Sequence, residues 1–134
     1  MIDIQLTPRK NPNKLEQNPK YYPAVVSKGE TTLKELTQQI AQMSSLSRTD
    51  CVAVLTALLE LLPQELLRGR IVRLGDLGSF RLTVKGEGLD QPSDFTSNAI
   101  NKTQLRFNPG LEVKAQLQEA EFRLVTSSEE TSTR

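Results

Sequence analysis

The sequence contains no histidine and no tryptophan, a single cysteine at Cys51, and aromatic residues at only 4% of its 134 positions. Each scarcity removes a class of chemistry. Without an imidazole there is no Ser/His/Asp or Cys/His nucleophile system, no His-x-Glu deaminase and no HExxH metal site, because each needs that ring as proton shuttle or ligand. One cysteine excludes disulfide frameworks and Cys-rich zinc sites. Neither sign of charge dominates: 17 Lys+Arg stand against 16 Asp+Glu, a net charge of +1, so any contact with a polyanion must rest on local patches. No apolar run reaches membrane-spanning length, and the first residues, with Asp3, lack the basic-then-apolar order of a signal peptide. These absences lead us to expect a soluble, cytoplasmic, non-catalytic protein that needs neither cofactor nor metal and has no membrane partner.

What is present begins with alternation. Ile2, Ile4 and Leu6 alternate with polar residues, and the following stretch carries Pro8, Pro12 and Pro19, which reads as a short strand and then an extended loop. Tyr21–Val26 has strand composition, but Pro23 confines it to a sheet edge or a strand start. Lys28-Gly29-Glu30 marks a turn. From Thr32 the period changes: Leu33, Leu36, Ile40 and Met43 recur at helical spacing, with Thr31 or Thr32 as N-cap and Glu35 placed for a capping box on Thr32.

A second helix follows Ser47-Arg48-Thr49-Asp50, an S-x-x-D start. Between Cys51 and Leu67, 12 of 17 positions are apolar, more than one core-facing stripe requires. Such a helix is expected to bury two faces, one within its own chain and one against a partner chain, or else to be the central helix of a monomer. Pro63 should kink it or begin a new turn, and Gly69 suits the C′ position. Cys51 is expected to be a small buried residue.

Next come a short strand at Ile71, Val72 and Leu74, a turn at Gly75–Gly78, and an alternating strand at Phe80, Leu82 and Val84, together a β-hairpin. Lys85–Asn98 is rich in turn formers. Strand alternation returns over Ile100–Phe107, where Thr103, Leu105 and Phe107 interleave with Lys102, Gln104 and Arg106. Asn108-Pro109-Gly110 then leads into a helix carrying Leu111, Val113, Leu117 and Phe122. The resulting division is an N-terminal extension over 1–30, an α+β domain over 31–126, and a Ser/Thr/Glu-rich tail over 127–134 that is expected to be disordered.

Several short motifs in this order carry a resemblance. Leu36, Ile40-Ala41 and Leu46-Ser47-Arg48-Thr49-Asp50, then Leu66-x-x-Gly69-Arg70-x-Val72-x-Leu74, Leu77-Gly78-Ser79-Phe80 and Phe107-Asn108-Pro109-Gly110-x-x-Val113-Lys114 resemble the HU and integration host factor family of bacterial histone-like DNA-binding proteins. The match extends over about residues 32–118, and the N-terminal extension is similar to that of a divergent HU-like subgroup. What the resemblance implies is an intertwined dimer, homodimeric or paired with another HU-like chain, of two N-terminal helices, a three-stranded antiparallel element with a protruding two-stranded arm, and a C-terminal helix. It further implies a nucleoid protein that bends and condenses double-stranded DNA with low sequence specificity, the arms entering the minor groove with an apolar wedge at each tip. Pro92 is the candidate wedge, against an ordinary loop proline.

The charges depart from that pattern. Across positions 84–104 only Lys85 and Lys102 are basic while Glu87, Asp90 and Asp94 are acidic, a net −1 where the family arm is cationic. Residues 111–134 carry a net −2. Compensation is available from Arg9, Lys10 and Lys14 in the extension, from Arg68, Arg70, Arg73 and Arg81 around the hairpin, and from Arg106 and Lys114. With Lys85, Pro92 and Lys102 these are the candidate DNA-binding residues. The alternative is a dimeric module of the same fold whose mixed-charge arm, with Leu89 and Phe95, serves protein–protein assembly.

Overall fold

The computed structural model describes residues 1–10, 12–14 and 18–125. In chain order its elements are β1 (Ile2–Arg9), β2 (Lys20–Val25), α1 (Leu33–Met43), α2 (Arg48–Leu67), β3 (Val72–Arg73), β4 (Gly78–Gly86), β5 (Ile100–Pro109), α3 (Leu111–Leu117) and β6 (Phe122–Leu124). They fall into two compact units, one formed by Met1–Thr31 with the residues from Gln118 onward, the other by Thr32–Leu117.

The first unit is a three-stranded sheet in the order β2-β1-β6. β1 and β2 are antiparallel, with Leu6 opposite Pro23, and β6 runs parallel to β1, with Ile2 opposite Phe122. Pro23 therefore sits in an edge strand, where its missing N–H leaves no ladder bond unmade. Phe122 corrects the sequence reading, which carried the last helix that far. α3 ends at Leu117, and Phe122–Leu124 forms a strand on β1. That pairing joins the two ends of the described chain, a contact that local periodicity cannot reveal. The tail expected over 127–134 lies outside the described residues.

The second unit begins as its sequence pattern dictates. Thr32 caps α1, its hydroxyl accepting from the Glu35 N–H at 3.3 Å, and Ser47 caps α2 by accepting from the Asp50 N–H at 3.1 Å. α2 runs through Pro63 as one helix of 20 residues and ends at Gly69, whose φ of +79° fits the left-handed C′ position. α1 packs on α2, and α2 on β3 and β4.

β3, β4 and β5 form an antiparallel sheet in that order. The Leu77-Gly78-Ser79-Phe80 and Phe107-Asn108-Pro109-Gly110 segments, far apart in sequence, lie side by side in it. Gly78 is opposite Pro109, Phe80 is opposite Phe107, and the two rings lie 4.8 Å apart at a 31° tilt. The Gly110 N–H donates to the Leu77 carbonyl at 2.9 Å, and a Cβ on Gly110 would collide with the Asp76 carbonyl oxygen. Pairing of β4 with β5 stops at Gly86 and Ile100. Residues 87–99 contain no strand. They form a loop with 3-10 turns at Pro92–Asp94 and Ser97–Ala99, so the expected two-stranded arm extends only as far as Gly86 and Ile100, with a register shift just beyond Lys85.

The interior of the second unit is small. Among the described residues only Cys51, 2% exposed, and Leu66, 6% exposed, are buried apolar side chains. Leu33, Leu36, Ile40, Val54, Leu59 and Leu61 of the two long helices are all exposed, although their spacing marks them as core positions. Cys51 is thus the buried residue its apolar surroundings in sequence imply.

Candidate nucleic-acid interface

Side chains alternate across a strand, and directly paired residues share a face, so register decides what the β3-β4-β5 sheet presents on each side. On one face lie Val72, Phe80, Leu82, Val84, Leu105 and Phe107. Arg73 pairs with Ser79, Arg81 with Arg106, Thr83 with Gln104, and Lys85 with Lys102 on the other. That second face carries five cations and no carboxylate.

Two of its cross-strand pairs are like-charged. Arg81 opposite Arg106 and Lys85 opposite Lys102 hold charges of one sign on adjacent strands, an arrangement that destabilises a sheet by roughly 0.2–1 kcal/mol per pair. None of these five side chains is in an ion pair with Asp or Glu among the described residues; the ion pairs of the second unit belong to Glu65, with Arg68 at 3.2 Å and Arg70 at 3.6 Å. Two polar atoms on the same face, Arg81 Nε and Thr83 Oγ1, are buried without a hydrogen-bond partner.

The remaining sequence-predicted residues are distributed more widely. Arg68 caps the C-terminus of α2, and Arg70 shares Glu65 with it, so one carboxylate offsets two cations. Lys114 lies in α3. Pro92 opens an exposed 3-10 turn in the loop that carries Glu87, Asp90 and Asp94. In the first unit Arg9 ends β1 opposite Lys20, a third like-charged pair, and its guanidinium carbon lies 6.0 Å from the centroid of the Tyr22 ring, within cation–π range. Lys10 follows β1 directly, with Lys14 in the loop beyond. Tyr22 therefore backs Arg9 from a docked strand.

The alternation of Arg81, Thr83 and Lys85 with apolar residues, and of Lys102, Gln104 and Arg106 likewise, is legible in the sequence. Missing from it is the register that sets Arg81 against Arg106. Ser79, Thr83, Gln104 and Asn108, the uncharged members of the face, escape a reading that searches only for basic residues.

Comparison with known proteins bears on this arrangement. A family model described as "HU domain fused to wHTH, Ig, or Glycine-rich motif" (HU-HIG) matches residues 1–123. Among solved structures the chain is similar to one from Bacteroides vulgatus described as a "Putative bacterial DNA binding protein", with a TM-score of 0.64 and 8% sequence identity over 92% of this chain and 48% of that one. At 8% identity the likeness concerns the fold alone, and the chain spans about half the length of that relative. No curated protein matches.

Proposed function

The chain belongs to the HU-HIG family of HU domains, and on that premise we propose that it is a non-catalytic protein that binds duplex DNA through the cationic face of the β3-β4-β5 sheet. The observation that carries this reading is the cross-strand pairing of Arg81 with Arg106 and Lys85 with Lys102 on a face without carboxylates. A phosphate backbone turns that internal repulsion into attraction. Arg81 and Lys85 are four residues apart, about 13 Å along a strand, and a duplex carries one charge per roughly 1.7 Å of axis. The row can therefore lie along several phosphates. Contacts of this kind fix position without reading bases, which accounts for low sequence specificity.

Arg9, Lys10 and Lys14, and then Arg68, Arg70 and Lys114, are the secondary contacts in this reading, while Pro92, between Asp90 and Asp94 in a loop that phosphate repels, is an ordinary loop proline. The protein acts as a dimer, homodimeric or with another HU-like chain. Support for this comes from the exposed apolar positions of α1 and α2 and from the exposed Leu82, Leu105 and Phe107 on the face of the sheet opposite the cations. A chain with so little buried apolar surface gains its core from a second one. Its setting in the cell is the nucleoid.

Electrophoretic shift on a random-sequence duplex across a salt series tests the reading. The association constant should fall steeply with salt, by about 0.9 in log–log slope for each phosphate neutralised. No shift at low salt, or an affinity indifferent to salt, would sink it.

One observation favours a second reading: Leu89, 44% exposed, and Phe95, 58% exposed, stand uncovered in the acidic loop. If that loop serves protein–protein assembly, species larger than a dimer will form with rising concentration, and DNA will not affect them.

A further inference from the structure

The β2-β1-β6 sheet ends in a cluster of cations around an exposed tyrosine, and the duplex contact proposed above does not use that ring. One face of the sheet, with Ile4, Leu6, Val25, Phe122 and Leu124, is apolar. The register places Asp3, Gln5, Thr7 and Arg9 of β1 on the other face, with Asp3 opposite Arg123, Thr7 opposite Tyr22 and Arg9 opposite Lys20. This polar face changes character along its length. At one end its carboxylate, Asp3, is taken by Arg123, whose Nη2 donates to Oδ1 at 2.7 Å. At the other end, about 20 Å away along β1, Arg9 and Lys20 stand side by side, and no carboxylate among the described residues pairs with either. Tyr22 lies next to them, 46% exposed, with the Arg9 guanidinium carbon over its ring at 6.0 Å from the centroid. Lys10 and Lys14 follow, both exposed. Between Pro8 and Tyr21 the sequence sets these four cations against Glu16 alone, a net +3.

We propose that this end of the sheet is a binding site for single-stranded nucleic acid, in which an unpaired base stacks on Tyr22 and the adjoining phosphates lie on Arg9, Lys20 and Lys10. The site goes beyond the duplex reading and stands without it. Charge and ring together select the occupant. The cations alone would suit any polyanion, a duplex or an acidic peptide included. The ring narrows the choice: a duplex keeps its bases stacked on one another and a carboxylate has no π face, whereas a single strand offers a base and a phosphate at every nucleotide. The spacing agrees, because residues two apart on a strand are separated by about 7 Å and neighbouring strands by about 4.8 Å, so Tyr22, Lys20 and Arg9 fall within the span of a dinucleotide. Arg9 extends the platform as well as the charge, since a planar guanidinium also stacks. Tyr21 is the internal contrast. It is adjacent in sequence but lies opposite Pro8 on the apolar face, outside the site.

The composition supplies the probe. With two tyrosines and no tryptophan, the full-length Tyr21→Phe chain emits from Tyr22 alone, and a base stacked on that ring quenches the emission. Titration with oligothymidylate of about 15 nucleotides should quench most of it. Oligouridylate is the RNA arm: quenching by either strand sustains the site, and the tighter ligand names its source. Heparin, a polyanion without bases, and a blunt duplex of the same length should leave the emission near its starting value. Anisotropy of the labelled oligonucleotide gives a second measurement, made on the Arg81→Gln/Lys85→Gln/Lys102→Gln/Arg106→Gln chain so that the β4–β5 ladder does not contribute. There Tyr22→Leu should weaken binding about tenfold, the loss expected for one stacked base, while Tyr22→Phe and Tyr21→Leu stay within about twofold. Emission unchanged by both oligonucleotides, equal quenching by heparin or duplex, or a Tyr22→Leu chain that binds as tightly as its parent overturns the proposal. Each of these outcomes leaves the duplex contact of the ladder to be read separately from its own salt series.

Discussion

The β4–β5 ladder and the loop at its tip are continuous in sequence and opposite in charge. The ladder stacks Arg81 on Arg106 and Lys85 on Lys102. The loop over 87–99 holds Glu87, Asp90 and Asp94 with no cation. A protein that gripped DNA with its arm tips would show the reverse, since an anionic tip is repelled by phosphate. The contrast teaches that positive charge has been concentrated in the body of the sheet, and that the near-neutral total is an average over segments of opposing sign. In the function proposed above, the strands make the phosphate contact and the loop sets an electrostatic limit on how far that contact extends.

Charge reversal in the ladder should break the comparison most strongly. Arg81→Glu with Arg106→Glu replaces a repulsive pair of cations by a repulsive pair of anions, so DNA affinity should drop by on the order of a hundredfold or more, read by fluorescence anisotropy. A loss of less than threefold would remove the ladder from the interface. The converse change in the loop, Glu87→Gln with Asp90→Asn and Asp94→Asn, should strengthen binding severalfold at about 0.01 M salt and much less at 0.15 M, where charges beyond about 8 Å are screened. An affinity unchanged at low salt would mean that the loop lies far from the DNA.

A subtler effect sharpens the same contrast in the free protein. Arg106→Gln removes one member of a like-charged pair, and it should stabilise the DNA-free chain by a few tenths of a kcal/mol, up to about 1, while weakening DNA binding. Thermal unfolding without DNA checks the first half; a lower melting temperature would show that Arg106 has a favourable partner. Smallest of all, Arg9→Ala with Lys10→Ala and Lys14→Ala should lower the salt slope by less than the same number of changes in the ladder, because these residues are secondary contacts in the proposed reading. An equal or larger drop would shift the principal contact to the N-terminal segment.

Local signals were enough for most of the second unit. Thr32 and Ser47 cap where their spacing says they should, Gly69 follows the C-cap of α2, and the motif residues meet in the sheet, where Gly78 and Gly110 permit approaches that a Cβ would block and Phe80 lies against Phe107. What stayed hidden depends on partners distant in sequence. Phe122 alternates too briefly to announce a strand, and its place on β1 is set by a contact between residues 122 and 2. The cationic face was half legible, since alternation fixes which residues of one strand point together but says nothing of which residue lies opposite. The apolar face of the β2-β1-β6 sheet was hidden for the same reason, having three contributors from two ends of the chain.

The central claim is that the β4–β5 ladder is the phosphate contact, and the most direct test compares the salt dependence of duplex binding for the wild-type chain and for Arg81→Gln/Lys85→Gln/Lys102→Gln/Arg106→Gln. Each cation removed from a phosphate should lower the log–log slope by about one, so the account predicts a difference of roughly four per chain engaged. Parallel slopes with similar affinities would contradict it.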